Sequence, residues 1–148
     1  MLTSAILVAA YSILAAAIPT SNKVISRAGG PSIIDIPSNC TITGVLPCLE
    51  NGQGALPIES TIDALFYSAF YPSPSDNITA LAEQCLKQCY GYGDHTECKT
   101  MYWAENVVTE YGDLNTACLF YNRTLTEEDF VIAPEGEGST PFAAGIEC

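Results

Sequence analysis

The chain has 148 residues, enough for one domain with a modest core and too few for two comfortable ones. Five basic residues stand against seventeen acidic ones, and the formal charge of −12 sets it against nucleic acid, heparin-like polyanions and anionic membrane surfaces. A soluble extracellular protein kept apart by self-repulsion carries the same charge, so no cationic ligand is read from it.

The first residues point to export. Behind Met1-Leu2-Thr3-Ser4 runs an uncharged apolar block, Ala5 to Ala17. It ends in Ala15-Ala16-Ala17, a small-x-small site of the kind signal peptidase accepts, with Pro19 just beyond. The block is shorter than the roughly 20 apolar residues that span a bilayer, and no later stretch does better. Residues 1–17 are therefore expected to be a signal peptide and the protein to be secreted and extracellular. Residues 18–38, rich in Ser, Pro, Gly and Ala without helical period, read as a flexible N-terminal arm, with Ser26-Arg27-Ala28 a candidate for proteolytic trimming.

All seven cysteines, Cys40, Cys48, Cys85, Cys89, Cys98, Cys118 and Cys148, follow this leader. In an oxidising compartment such a set in a small domain reads as a disulfide framework. Zinc is the competing reading, but its sites favour C-x2-C pairs or Cys/His clusters. Here the close pair is C-x3-C and the chain has one histidine. An odd count leaves one thiol free or paired with another chain. Three N-x-[ST] triplets, at Asn39, Asn77 and Asn122, agree with export and are candidate glycosylation sites.

Within the domain, expected over residues 39–148, Cys40 to Pro57 is broken by Gly and Pro and holds at most a short strand near Thr41 to Leu46. The next segment reads as a helix. Ser60 stands at its cap, Asp63 at the third position, and Ile62, Leu65, Phe66, Ala69 and Phe70 form a stripe that Pro72 and Pro74 end. Tyr67 and Tyr71 lie one turn apart, as a sugar platform or as rings packed under a loop, and packing is the commoner role. A second helix is expected from about Ile78 to Tyr90, capped by Asn77 or Thr79 and closed by Gly91, with Cys85 and Cys89 on one face. Two alternating runs follow: Lys99 to Val108, with Met101 and Trp103 on one side, and Ala117 to Asn122, with Cys118 and Phe120 opposed to Leu119 and Tyr121. Tyr111-Gly112-Asp113 supplies the turn between them. Thr126-Glu127-Glu128-Asp129 looks like a helix start, its acids where the dipole favours them and Leu125 and Phe130 placed as a staple. Ala133 to Cys148 reads as loop ending in a possible short strand.

The order of helix with C-x3-C, Cys98 before an aromatic strand, and Cys118-Leu119 in the next strand resembles the PAN/apple family. It is similar in particular to secreted fungal cysteine-rich proteins with a block like Cys85-Leu86-Lys87-Gln88-Cys89-Tyr90-Gly91-Tyr92-Gly93. The resemblance implies an α+β fold in which a small antiparallel sheet packs on a central helix and is stapled by disulfides. It implies pairing of Cys85 with Cys118 and of Cys89 with Cys98, and a further bridge from Cys40 or Cys48 to Cys148. It also implies an inserted loop near Val107 to Asn115.

No enzyme constellation accompanies this framework. His95 is the single histidine and sits in a polar loop, without a G-x-S-x-G, phosphate-loop, dinucleotide or metal motif. No catalytic residue, metal or cofactor is expected. The leading reading is a non-catalytic binding or adhesion module for an extracellular protein or carbohydrate, through the sheet face and the loops Tyr90 to Thr96 and Val107 to Asn115. The alternatives are a small acid-active hydrolase using paired carboxylates, and a secreted structural or host-directed protein with no ligand of its own.

Overall fold

The computed structural model of the chain describes residues 30–72 and 77–148. The expected signal peptide, the trimming site at Ser26-Arg27-Ala28 and the first part of the arm lie outside the described residues.

The fold is α+β. A five-stranded antiparallel sheet has the order β1-β7-β4-β5-β3, with β1 at Thr41–Gly44, β3 at Leu65–Tyr71, β4 at Thr100–Val108, β5 at Leu114–Tyr121 and β7 at Ser139–Glu147. Helix α1, Ile78–Tyr90, covers one face. A second, two-stranded sheet of β2 (Ala55–Pro57) and β6 (Phe130–Ile132) covers part of the other, together with short 3-10 turns at Glu59–Ala64 and Glu127–Asp129.

Alternation along β4 and β5 divides the core in two. Met101, Trp103, Cys118 and Phe120 pack against α1 with Cys85, Leu86 and Cys89. Tyr102, Ala104, Ala117, Leu119 and Tyr121 pack on the opposite side with Val45, Leu125 and Phe130. Thr100 through Ala104 are therefore all buried. The centre of the sheet offers no open face for a ligand, contrary to the expectation from sequence, because both sides are already used to hide apolar surface. The Val107–Asn115 segment is a continuation of the β4–β5 hairpin, with Val107 opposite Asn115 and Val108 opposite Leu114. Gly112 turns it with φ +84°, where a side chain would be strained.

Two further expectations are corrected. The helix expected behind Ser60 is a 3-10 turn, Glu59–Ala64, followed by strand β3. Leu65-Phe66-Tyr67-Ser68-Ala69-Phe70-Tyr71 is an almost unbroken apolar and aromatic run, in which helical spacing is met by chance and β propensity is high. Pairing with β5 decides the matter, with Tyr67 stacked on Phe120 at 4.5 Å and the Tyr71 hydroxyl accepting a hydrogen bond from Trp103 Nε1 at 3.1 Å. Both tyrosines are partly buried and pack against the core, the packing role rather than a sugar platform.

The tail expected to be loop contains the nine-residue β7, lying between β1 and β4. Pro141 and Gly145 disguise it. Pro141 falls where the β4–β7 register shifts between Trp103 and Glu105, so its missing N–H interrupts little of the ladder. The Thr126 helix start makes a full capping box with Asp129, yet the turn ends after three residues because Phe130 begins β6.

Residues 30–38, read from sequence with the arm, lie across α1. Lys87 Nζ is 2.8 Å from Asp35 and 3.3 Å from Glu83, and Ile36 packs on the core. Gly91 follows α1 in a close crossing of this segment, since a Cβ there would meet the Ser32 carbonyl oxygen.

Candidate binding groove

The disulfide framework sets the geometry. Cys85 and Cys89, one turn apart on α1, are bridged to Cys118 on β5 and to Cys98 just before β4, with Cα separations of 5.9 and 5.5 Å. These are the two inner pairs that the family resemblance implied. Cys40 is bridged to Cys148, joining the start of β1 to the end of β7, and Cys48 is a free, exposed thiol. Both inner bridges leave the same stretch of α1, so they clamp its C-terminal half to the sheet.

The N-terminal half of α1 stands over a groove. Asn77 caps it, its Oδ1 accepting from the Ala80 N–H at 3.1 Å. Ile78, Ala82 and Leu86 recur at fourfold spacing and face the sheet, joined at the rim by Thr79 and Glu83. Across from them are Trp103 and the Thr140-Pro141-Phe142 run of β7, and the cavity between measures about 330 Å³. Trp103 is fully buried and forms the floor, whereas Phe142 is 39% exposed at the mouth.

The rim on the β7 side carries two non-glycine residues in the left-handed region, Asn106 at φ +56° and Thr140 at φ +48°. A β-branched residue held there costs of order 1 to 3 kcal/mol, which neighbours must offset. They are tied together across the strand irregularity. Asn106 Nδ2 donates to Ser139 Oγ at 3.3 Å, the Gly138 N–H donates to the Asn106 carbonyl at 3.1 Å, and the Thr140 hydroxyl lies 2.9 Å from Glu105 Oε2. The irregularity thus aims Pro141 and Phe142 at α1 and turns Glu105 towards the rim.

Beyond the groove, the cross-strand pair Val108 and Leu114 continues on the helix side of the sheet, 44% and 55% exposed, with Tyr111 at the hairpin tip. Glu83 stands on the helix side of the groove, Glu105 accepts from the Thr140 hydroxyl on the β7 side, and Glu110 and Asp113 flank Tyr111 in the hairpin turn. Of the described cations, Lys87 is paired with Asp35 and with Glu83 of the rim, Arg123 is paired with Asp129, and Lys99 precedes β4.

The residues singled out from sequence are otherwise dispersed. His95, at φ +71°, stacks on Tyr90 with ring centroids 4.8 Å apart, its Nδ1 2.8 Å from the Tyr90 carbonyl oxygen. Asp94 in the same loop is held below the usual carboxylate range by hydrogen bonds from the Thr96 hydroxyl and N–H. Asn39, Asn77 and Asn122 are all exposed. Among the described residues no carboxylate is buried and no group of three or more potential metal ligands forms. Among the described carboxylates the strongest perturbation belongs to Asp129. Two hydrogen bonds from Arg123 at 2.6 and 3.0 Å and one from the Thr126 N–H pull its carboxyl down to about 2. That is the signature of a structural clamp rather than of a proton donor.

Thr140, Pro141 and Phe142 were missed because their segment read as loop. Helix α1 itself is legible in the sequence, but nothing in it signals that Ile78, Ala82 and Leu86 face a cavity. No family model, curated protein or solved structure matches the chain. Among the described residues no helix is long and apolar enough to cross a membrane.

Proposed function

We propose that this chain is a secreted, non-catalytic binding module of the PAN/apple kind, and that its groove takes one or two apolar side chains from an extracellular protein. The observation that carries this reading is the apolar cavity of about 330 Å³ beneath a helix that two bridges hold in place. A preformed site of this sort binds without first ordering itself, which lowers the entropic cost of association. The order of helix, paired cysteines and two strands, with nested inner bridges and one bridge across the ends, supports the family assignment. The three bridges also suit an oxidising compartment.

A protein is favoured over a sugar by the lining. Carbohydrate sites need polar groups converging on hydroxyls, with an exposed aromatic ring to stack on. Here the lining is mainly aliphatic and aromatic, with only Thr79, Glu83 and Thr140 polar, too few to converge on a sugar's hydroxyls. Glu105 on the β7 side of the rim, with no described cation paired to it, favours a partner with Lys or Arg flanking its apolar anchor. Carboxylate-based hydrolysis is disfavoured by the exposure of the described acids, since a general acid needs burial to raise its pKa.

The test is a displayed library of 12-residue peptides selected on oxidised protein. Enrichment should yield sequences joining an aromatic or aliphatic anchor to basic flanks. Their affinity should fall at least about tenfold with Phe142→Lys, which puts a charge at the apolar mouth. An empty selection, or peptides indifferent to Phe142→Lys, refutes the groove as the site. A glycan-array hit indifferent to Phe142→Lys would move the function to a sugar bound elsewhere.

A further inference from the structure

The two edges of the five-stranded sheet differ. The β1 edge is four residues long and its first residue follows the Cys40–Cys148 bridge. The β3 edge is seven residues of Leu65-Phe66-Tyr67-Ser68-Ala69-Phe70-Tyr71, uncharged and four-sevenths aromatic, with β5 its sole strand partner among the described residues. Ser68 and Phe70 are exposed, Phe70 by 44%. Natural sheets blunt such an edge with lysine, proline or an inward charge, because its open N–H and C=O row recruits another strand. None of those devices is in β3; the register shift between Leu65 and Tyr67 protects only its first turn of pleat.

A different protection lies beside it. Asn122 follows the last residue of β5, and its N–H donates to the Ala64 carbonyl at 2.9 Å, immediately before β3. It begins the triplet Asn122-Arg123-Thr124, exposed throughout. Arg123 is tied to Asp129 at 2.6 Å, which fixes the bend and leaves the flanking side chains outside. Asn122 also lines an open depression of about 630 Å³ whose apolar wall is Phe66 of β3 and whose polar wall is Thr96 and Glu97.

From this placement we infer that Asn122 carries an N-linked glycan whose first sugars occupy that depression and screen the β3 edge from strand addition. The inference rests on the reading of the chain as secreted. The co-reactant is an oligosaccharide linked to a lipid pyrophosphate in the secretory compartment. The Asn122 Nδ2–C1 bond forms as the C1–oxygen bond to the pyrophosphate breaks. The lipid pyrophosphate leaves with the electron pair and Nδ2 gives up one proton, with no change of oxidation state. A bulky, hydrated chain beside an uncharged edge replaces the charge that other edges use. Asn77, by contrast, adjoins the binding groove through Ile78 and Thr79, so its modification would leave β3 uncovered.

The experiment expresses the full chain in a eukaryotic secretory cell and maps sequon occupancy by mass spectrometry before and after peptide N-glycosidase. Asn122 should be occupied, and the purified protein monomeric by light scattering. Asn122→Gln and Thr124→Val, each abolishing the triplet by a different residue, should lower the concentration at which association begins at least about tenfold. Adding Ser68→Lys to either variant should restore the monomer. Protein in the medium with Asn122 bare overturns the inference while leaving secretion standing; protein retained in the cytosol without glycan overturns both. Unchanged association in both variants, or association indifferent to Ser68→Lys, also overturns it, provided the disulfide map and Trp103 fluorescence match the parent.

Discussion

Removing the bridge between Cys40 and Cys148 should weaken the protein without abolishing its fold. The two cysteines are 108 positions apart, and the Cys85–Cys118 bridge already short-circuits 33 of them. In the chain-entropy description, closing the remaining path of about 75 residues restrains the unfolded state by about 4.5 kcal/mol, an upper figure. What the native state retains is β1, four exposed residues paired antiparallel to β7 from Thr41–Glu147 to Gly44–Ala144. That short pairing frays once its end is free, while the core between α1 and β4–β5 keeps both inner bridges. The expected loss is about 3 to 4 kcal/mol. With an unfolding entropy near 0.24 kcal/mol/K for a domain of about 115 residues, this lowers Tm by roughly 12 to 16 °C. Cys40→Ser/Cys148→Ser should be compared with its parent in a Cys48→Ser background, so that the free thiol cannot exchange into the framework. Near-ultraviolet circular dichroism and Trp103 fluorescence give the melt. Amide exchange should accelerate at 41–44 and at their partners on β7 well before the β4–β5 ladder. A Tm shift below about 3 °C would refute the assignment of stability to chain closure.

Other substitutions probe the remaining contacts. The Asp129 carboxyl, held at about 2 by Arg123, lies below the ordinary value of about 3.9, so its ion pair stabilises the protein above pH 4 and is lost as pH falls from about 4 towards 2. Because Arg123 is 43% exposed, the effect is on the order of 1 kcal/mol, and Asp129→Asn should flatten the acid limb of urea midpoints over that window. Identical limbs would show the pair contributes nothing. Tyr102 is fully buried and its hydroxyl donates to the Ala55 carbonyl at 2.6 Å, joining the centre of the large sheet to the small one. Tyr102→Phe strands that carbonyl and should cost about 1 to 2 kcal/mol, or roughly 4 to 8 °C in a thermal melt. An unchanged melt would mean that water or another donor replaces the hydroxyl. Gly54→Ala would drive a Cβ into the backbone oxygens of Glu137 and Gly138, and should cost about 1 to 3 kcal/mol. Faster proteolysis around β2 and β6 is the readout, and resistance equal to the parent would contradict it.

Legibility in the sequence followed the range of the forces involved. Helix α1 announces itself through its Asn77 cap and apolar spacing, and β4 and β5 through clean alternation of large side chains about Gly112. All three depend on interactions within a few residues of each other. The β3 segment misled because a nearly continuous apolar run satisfies helical spacing as readily as strand spacing, and its state is chosen by β5, some fifty positions away. β7 was hidden for the opposite reason. Ala143, Ala144 and Gly145 are small because the strand is squeezed between neighbours on both sides, and small residues carry little β signal.

The groove belongs wholly to this second class. Its helix side comes from α1, whose existence is legible, but its other wall exists only where β7 meets β4 at a register shift. By itself the amino-acid order determined a strongly acidic chain with a dense set of cysteines, helix α1 and the β4–β5 pair, because composition and local period suffice for these. Which cysteine the far end would choose, which faces of the sheet were left open, and where apolar surface remained unfilled were settled by long-range packing. Each depends on elements far apart in the chain being brought to within a side chain's reach of one another.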